Sequence, residues 1–173
     1  MKNISLYVPN IEDYEYEQRI ESDPETMSYN AGWCVSYYGY HPDTGCIDFP
    51  KERWQAVFDK RANQDGFFAY IKDNDTNEFV GYTYYHFSED DNKYYCGILL
   101  EAKNRGQGYS KRALELLLEV AKNNGIKELY DDFETDRYNA IELFKSLGFK
   151  EDSTYTMKRF DKDIEILVVK KEL

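Results

Sequence analysis

Two periods alternate along the chain. Strand-type runs occur at residues 4–8, 66–72, 78–87, 94–100, 126–133, 155–160 and 164–170. The first alternates apolar and polar residues until Pro9, which cannot donate to a ladder. Helical spacing predicts elements at 11–21, from Pro50 to about 63, over 111–123, and along the apolar face Ala140, Ile141, Phe144 and Leu147. The end signals agree with these spans: Asn10 as an N-cap, Pro50 at a first helical position, Asn124-Gly125 as a stop, and Gly148 as a C′ residue with Phe149 packing back. The runs at 66–72, 78–87 and 94–100 follow one another through polar turns and predict antiparallel pairs. A helix separates 94–100 from 126–133, which predicts a parallel pair. Residues 22–49 have no clear period. They hold Trp33, Tyr37, Tyr38 and Tyr40 among Gly32, Gly39, Pro42 and Gly45, which reads as a long ordered loop of the kind that often carries function.

Composition narrows the class. With 173 residues the chain is expected to form a single α/β (α+β) domain over residues 1–173. Its 17 Tyr and 10 Phe assign much of the packing to aromatic rings. A net charge of −11 argues against nucleic acid or an anionic membrane surface as the main partner. No apolar run approaches the roughly 18 residues of a spanning helix, and the start Met1-Lys2-Asn3-Ile4-Ser5 lacks a signal-peptide core, so a cytoplasmic location is expected. Cys34, Cys46 and Cys96 have no C-x-x-C spacing and read as reduced thiols. With only His41 and His86 beside them, no metal site is expected.

One short stretch concentrates the chemistry. In Arg105-Gly106-Gln107-Gly108-Tyr109-Ser110, two glycines permit positive φ and close approach of a ligand to main-chain N–H groups. The following helix aims its unsatisfied N–H groups and the positive end of its dipole at the same point. Lys103, Arg105, Lys111 and Arg112 stand against Glu101 alone across residues 101–112, a local positive island in an acidic chain. The stretch reads either as a phosphate cradle or as a tight strand-to-helix turn.

The element order and two motifs resemble the GNAT (GCN5-related) N-acetyltransferases. The glycine turn is similar to that family's Q/R-x-x-G-x-G/A signature for the acetyl-CoA pyrophosphate, with Ser110 in the last position. Ala140-Ile141-Glu142-Leu143-Phe144-Lys145-Ser146-Leu147-Gly148-Phe149 is similar to its A-I-x-L-Y-x-x-x-G-F helix. The resemblance implies a mixed, mainly antiparallel sheet of about seven strands, helices on both faces, and a splay between the fourth and fifth strands that admits the pantetheine arm. Two departures stand out. Arg137 takes the place of an Asn, and Phe144 that of a Tyr proposed to protonate the leaving thiolate.

What the resemblance implies for function is direct attack of a primary amine, of a small molecule or peptide, on the acetyl thioester of acetyl-CoA. The donor would lie against Ile98, Leu99, Leu100, Arg105, Gly106, Gln107, Gly108, Tyr109, Ser110, Asn139 and Phe144. Asp132, His86 and Glu101 are the candidates for the base. Asp132, next to Asp131 near the end of the fifth strand, is also suited to hold a cationic amine. The loss of the Tyr leaves a second expectation, a catalytically silent acyl-CoA-binding or regulatory module. Oligomeric state stays open, a homodimer included.

Overall fold

The computed structural model describes residues 2–173 and contains one seven-stranded sheet in the order β1-β2-β3-β4-β5-β7-β6. The strands are β1 (Ile4–Tyr7), β2 (Gly66–Asp73), β3 (Glu78–Ser88), β4 (Lys93–Leu100), β5 (Glu128–Glu134), β6 (Lys150–Arg159) and β7 (Lys162–Glu172). The helices are α1 (Tyr14–Glu21), α2 (Pro24–Met27), α3 (Trp54–Asn63), α4 (Tyr109–Asn123) and α5 (Tyr138–Ser146). Every pair in the sheet is antiparallel except β4–β5. That pair registers at Tyr95↔Tyr130 and nowhere else, so the two strands part toward their C-terminal ends and leave the expected gap.

Each face of the sheet has its own core. On one side Leu114, Leu117 and Ala121 of α4 and Phe144 of α5 pack with Phe149 on Tyr85, Cys96, Leu129, Phe133, Leu167 and Val169. On the other, Tyr14 and Ile20 of α1, Met27 of α2 and Trp54 of α3 pack with Cys46 and Phe49 on Tyr70, Tyr82 and Leu99. Aromatic rings dominate this second face, where the Tyr14, Phe49 and Trp54 centroids lie 5.4–6.3 Å apart in tilted and edge-on contacts.

Three details differ from the sequence expectations, each for a local reason. The aperiodic loop 22–49 contains α2, because the Asp23 side chain accepts the N–H groups of Glu25 and Thr26 while Pro24 supplies a preset φ. β6 begins at Lys150, five residues before its expected start. Its residues 150–156 are all exposed and pair only with β7, so an edge strand with no buried face left no alternation to read. The β6–β7 turn is Phe160-Asp161, with φ of 47° and 58°, instead of Asp161-Lys162-Asp163. The loop holds that turn: the Phe160 N–H donates to the Gly32 carbonyl at 2.7 Å, and its ring occupies the space a Cβ on Gly32 would need.

Candidate active site

The β4–β5 gap opens into a cleft of about 610 Å³ that runs through the sheet between the two cores. The end beside the glycine turn is main chain. Gly108, at φ 85°, ends the turn and caps α4, and Gly106 has φ 72°. A Cβ placed on either would meet nothing within 4 Å, so left-handed backbone and open space coincide where a polyanion must approach N–H groups closely.

The side chains around this turn mostly hold it in place. Arg105 donates to the Thr26 carbonyl at 2.5 Å and to the Glu25 carbonyl, and Thr26 Oγ1 accepts the Ala102 N–H at 3.1 Å. Tyr109, 5 % exposed, donates its hydroxyl to Asp73 and accepts from Lys2 Nζ. Gln107 donates to the Lys103 carbonyl at 2.8 Å. Much of the positive island is also paired, Lys103 with Glu101 at 3.6 Å and Arg112 with Glu115 at 3.2 Å.

Of the residues expected at the donor, Ile98, Leu99, Leu100, Arg105, Gly106, Ser110, Asn139 and Phe144 line the cleft. Gln107, Gly108 and Tyr109 sit on the turn outside that lining. The candidate bases separate. Asp132 lines the cleft, receives the Tyr155 hydroxyl at 2.8 Å, and has its carboxyl raised, chiefly by desolvation. His86 is exposed and lies one ring away from the cleft, stacked on Tyr84 at 5.8 Å, with partial desolvation of its ring and then the Lys60 charge lowering its pKa. Glu101 is 3 % exposed, and its oxygens meet Arg19 at 2.6 Å, Lys103 at 3.6 Å and Asn104 at 3.1 Å. It ties α1 to the cradle and does not line the cleft.

The structure adds lining residues that the sequence did not place at the cleft. Tyr29, Tyr82 and Tyr84 form an aromatic wall, and Arg137, Ala140 and Leu143 close the other side. Tyr84 reaches the gap because its partner Gly97 has no side chain: a Cβ there would lie 2.6 Å from the Tyr84 hydroxyl. Tyr82 donates to Glu21 Oε1 at 3.1 Å, and Glu21 has no cationic partner among the described residues. Burial, followed by the neighbouring Glu17 carboxylate, pushes the Glu21 carboxyl up to about 8. The alternation of tyrosines in β3, placed opposite Leu99 and Gly97 in register, is the signal that would have revealed this wall.

The site thus combines a strand–glycine turn–helix cradle with one end of a splayed β4–β5 gap. The family model for acetyltransferases of the GNAT family matches residues 17–149. The chain belongs to the GNAT family. Its fold is that of an N-acetyltransferase from Staphylococcus aureus Mu50, at TM-score 0.75, 16% identity and 98% coverage of both chains. A putative acetyltransferase from Salmonella typhimurium, determined with acetyl-CoA, superposes at 0.76 with 15% identity over 98% of this chain and 94% of that one. Spermidine N-acetyltransferase from Vibrio cholerae, in complex with CoA and spermine, gives 0.77 with 11% identity over 98% and 95%. No curated protein matches the chain at the sequence level. No group of three His, Cys, Asp or Glu suited to a metal occurs among the described residues of this GNAT protein, and none of their helices is long and apolar enough to cross a membrane.

Proposed function

We propose that this GNAT protein transfers the acetyl group of acetyl-CoA to a primary amine of a small molecule or peptide by direct attack in a ternary complex. The observation that carries the reading is one cleft with a main-chain anion cradle at one end and the Asp132 carboxylate at the other. Main-chain N–H groups at Gly106–Tyr109 and the N-terminus of α4 would take the pyrophosphate. The unpaired edge of β4 from Ile98 to Leu100 would carry the pantetheine arm, where an N–H can also stabilise the oxyanion. Holding both substrates in one gap supplies the positioning on which a two-substrate reaction depends.

On the acceptor side, Asp132 and the faces of Tyr29, Tyr82 and Tyr84 suit a cationic amine, and the chain's charge of −11 draws cations toward it. The raised carboxyl of Asp132 also suits it to take the amine proton. The spermine in the Vibrio cholerae relative is consistent with this choice. Calorimetry with acetyl-CoA tests the donor, and absence of heat at millimolar ligand removes it. Kinetics of Asp132→Asn test the acceptor. A cationic amine should show a KM about tenfold higher, matching loss of a charge-assisted contact of about 1.5 kcal/mol, and an unchanged KM contradicts the assignment.

A specific observation favours a second reading, a silent acyl-CoA-binding module: Phe144, 2 % exposed and lining the cleft, has no proton to give. Tight acetyl-CoA binding without turnover of any amine would select it.

A further inference from the structure

Acetyl transfer from a thioester expels a thiolate at the bottom of the gap, and the following inference rests on the proposed reaction. β4 and β5 last touch in register at Tyr95↔Tyr130. Cys96 and Asp131 are therefore the first residues facing each other across the opening, at its vertex. Strand alternation puts Asp131 on the same face as Leu129 and Phe133, which pack in the core that contains Phe144; the Phe133 and Phe144 centroids are 5.3 Å apart. Asp131 lines the cleft. Its Oδ1 accepts the Asp132 N–H at 2.8 Å, while Oδ2 has neither a hydrogen-bond donor nor a cation within ion-pair distance among the described residues.

The groups around this carboxyl come from each neighbouring element: Asp132 on its own strand, Cys96 on β4, Tyr84 on β3, and Arg137 just before α5. Burial raises the Asp131 carboxyl well above the usual range. The Asp132 N–H opposes this, the Asp132 charge adds to it, and Arg137 opposes it again. Cys96 and Tyr84 are themselves raised by burial and hold their protons, and Phe133 and Phe144 have none. Among the carboxyl groups lining the cleft, Asp132 already receives a proton donor from Tyr155, whereas Asp131 keeps a free oxygen.

We propose that the Asp131 carboxyl is the general acid that protonates the coenzyme A sulfur as the C–S bond breaks. The amine lone pair forms the N–C bond and the carbonyl π pair moves to oxygen. Its return expels sulfur, which keeps the C–S electron pair and takes the proton from Asp131 Oδ2. The proton lost by nitrogen passes to Asp132 and solvent, and Asp131 regains one from solvent before the next cycle. The products are the N-acetyl amine and free thiol. A carboxyl held protonated by its surroundings can give its proton to the departing thiolate. The Arg137 guanidinium, lining the same cleft, offsets the charge left on Asp131.

The test compares acetyl-CoA with its selenoester analogue, whose selenol leaves as a stable anion without help. Asp131→Asn keeps an acceptor for the Asp132 N–H and has no acidic proton. It should lower kcat with acetyl-CoA by about 10²-fold or more, the usual scale of general-acid catalysis, and lower it far less with the selenoester. Calorimetric affinity for acetyl-CoA should hold. Equal losses with both donors, or no loss, overturn the assignment. Should the variant fail to fold, the wild type decides: its thioester-to-selenoester rate ratio should fall as pH rises and Asp131 ionises, and a flat ratio overturns the role. A wild type that acetylates no amine removes the proposed function and this inference together. Turnover with Asp131→Asn unaffected removes the inference alone.

Discussion

The two faces of the sheet meet at the β4–β5 gap and are built by different means. The α4/α5 face contributes backbone: positive-φ glycines with open space beside them, a helix N-terminus, and an unpaired strand edge. The α1–α3 face contributes side chains held by long-range contacts, with the Arg61 fork on Glu17, the Tyr82 bond to Glu21 and an aromatic wall behind them. A backbone site recognises a ligand shared by many proteins and constrains only glycines and helix position. A side-chain site can change its acceptor by changing a few residues, and on this face the carboxyl groups of Glu17 and Glu21 are buried.

The comparison is broken most strongly at the cradle. Gly108→Asp should reduce acetyl-CoA affinity by at least about 10²-fold, since it sets a carboxylate against the phosphates and a Cβ at left-handed φ. The fold should survive, because a Cβ at this position meets nothing within 4 Å and the turn is open to solvent on that side. Circular dichroism and calorimetry check both halves. On the other face Arg61→Ala should act on stability. It leaves Glu17, whose side chain is 4% exposed, without its two guanidinium bonds of 2.9 and 2.6 Å. A loss of about 3 kcal/mol is expected in urea denaturation, and a change under about 0.5 kcal/mol would show that the pair is ornamental.

Glu21 sharpens the contrast through pH. Its folded carboxyl is raised to about 8 from an ordinary 4.5, so the folded state holds its proton more tightly than the unfolded chain. Wild-type stability should therefore be full below about 4.5, fall as pH rises toward 8, and level off above it, a decline of a few kcal/mol. Glu21→Gln should lack that decline, so its advantage over wild type grows across the same window. Parallel stability curves for the two proteins would place the titration elsewhere. The smallest effect belongs to Tyr155→Phe, which removes one hydroxyl from Asp132. It should alter the KM for a cationic amine by only about two- to fivefold, as one hydrogen bond of about 0.5–1 kcal/mol allows, and should leave acetyl-CoA affinity unchanged.

The same division explains what could be read in advance. Elements with a buried face announced themselves: the apolar stripe Ala113, Leu114, Leu117, Ala121 became α4, and the tyrosine-rich runs became β3 and β4. The glycine turn was legible because backbone conformation constrains residue type locally. The start of β6 was not, because residues 150–156 are exposed, pair with β7 alone and need no pattern of their own. The aromatic wall was only partly legible. The alternation in β3 offers Tyr82 and Tyr84, but Tyr29 and Arg137 join them only when the turn after α2 and the turn before α5 converge on β3, a meeting that no spacing along the chain encodes. Glu101 shows the reverse case. Its position at the end of β4 suggests a base, and the partner that makes it a structural tie, Arg19, lies 82 positions away on α1.

The most direct measurement follows free thiol while the protein is mixed with acetyl-CoA and a panel of amines that includes polyamines, amino acids and peptide N-termini. The account predicts amine-dependent thiol release, fastest with cationic acceptors and abolished by Gly108→Asp. Tight acetyl-CoA binding with no amine-dependent release across the panel would contradict it.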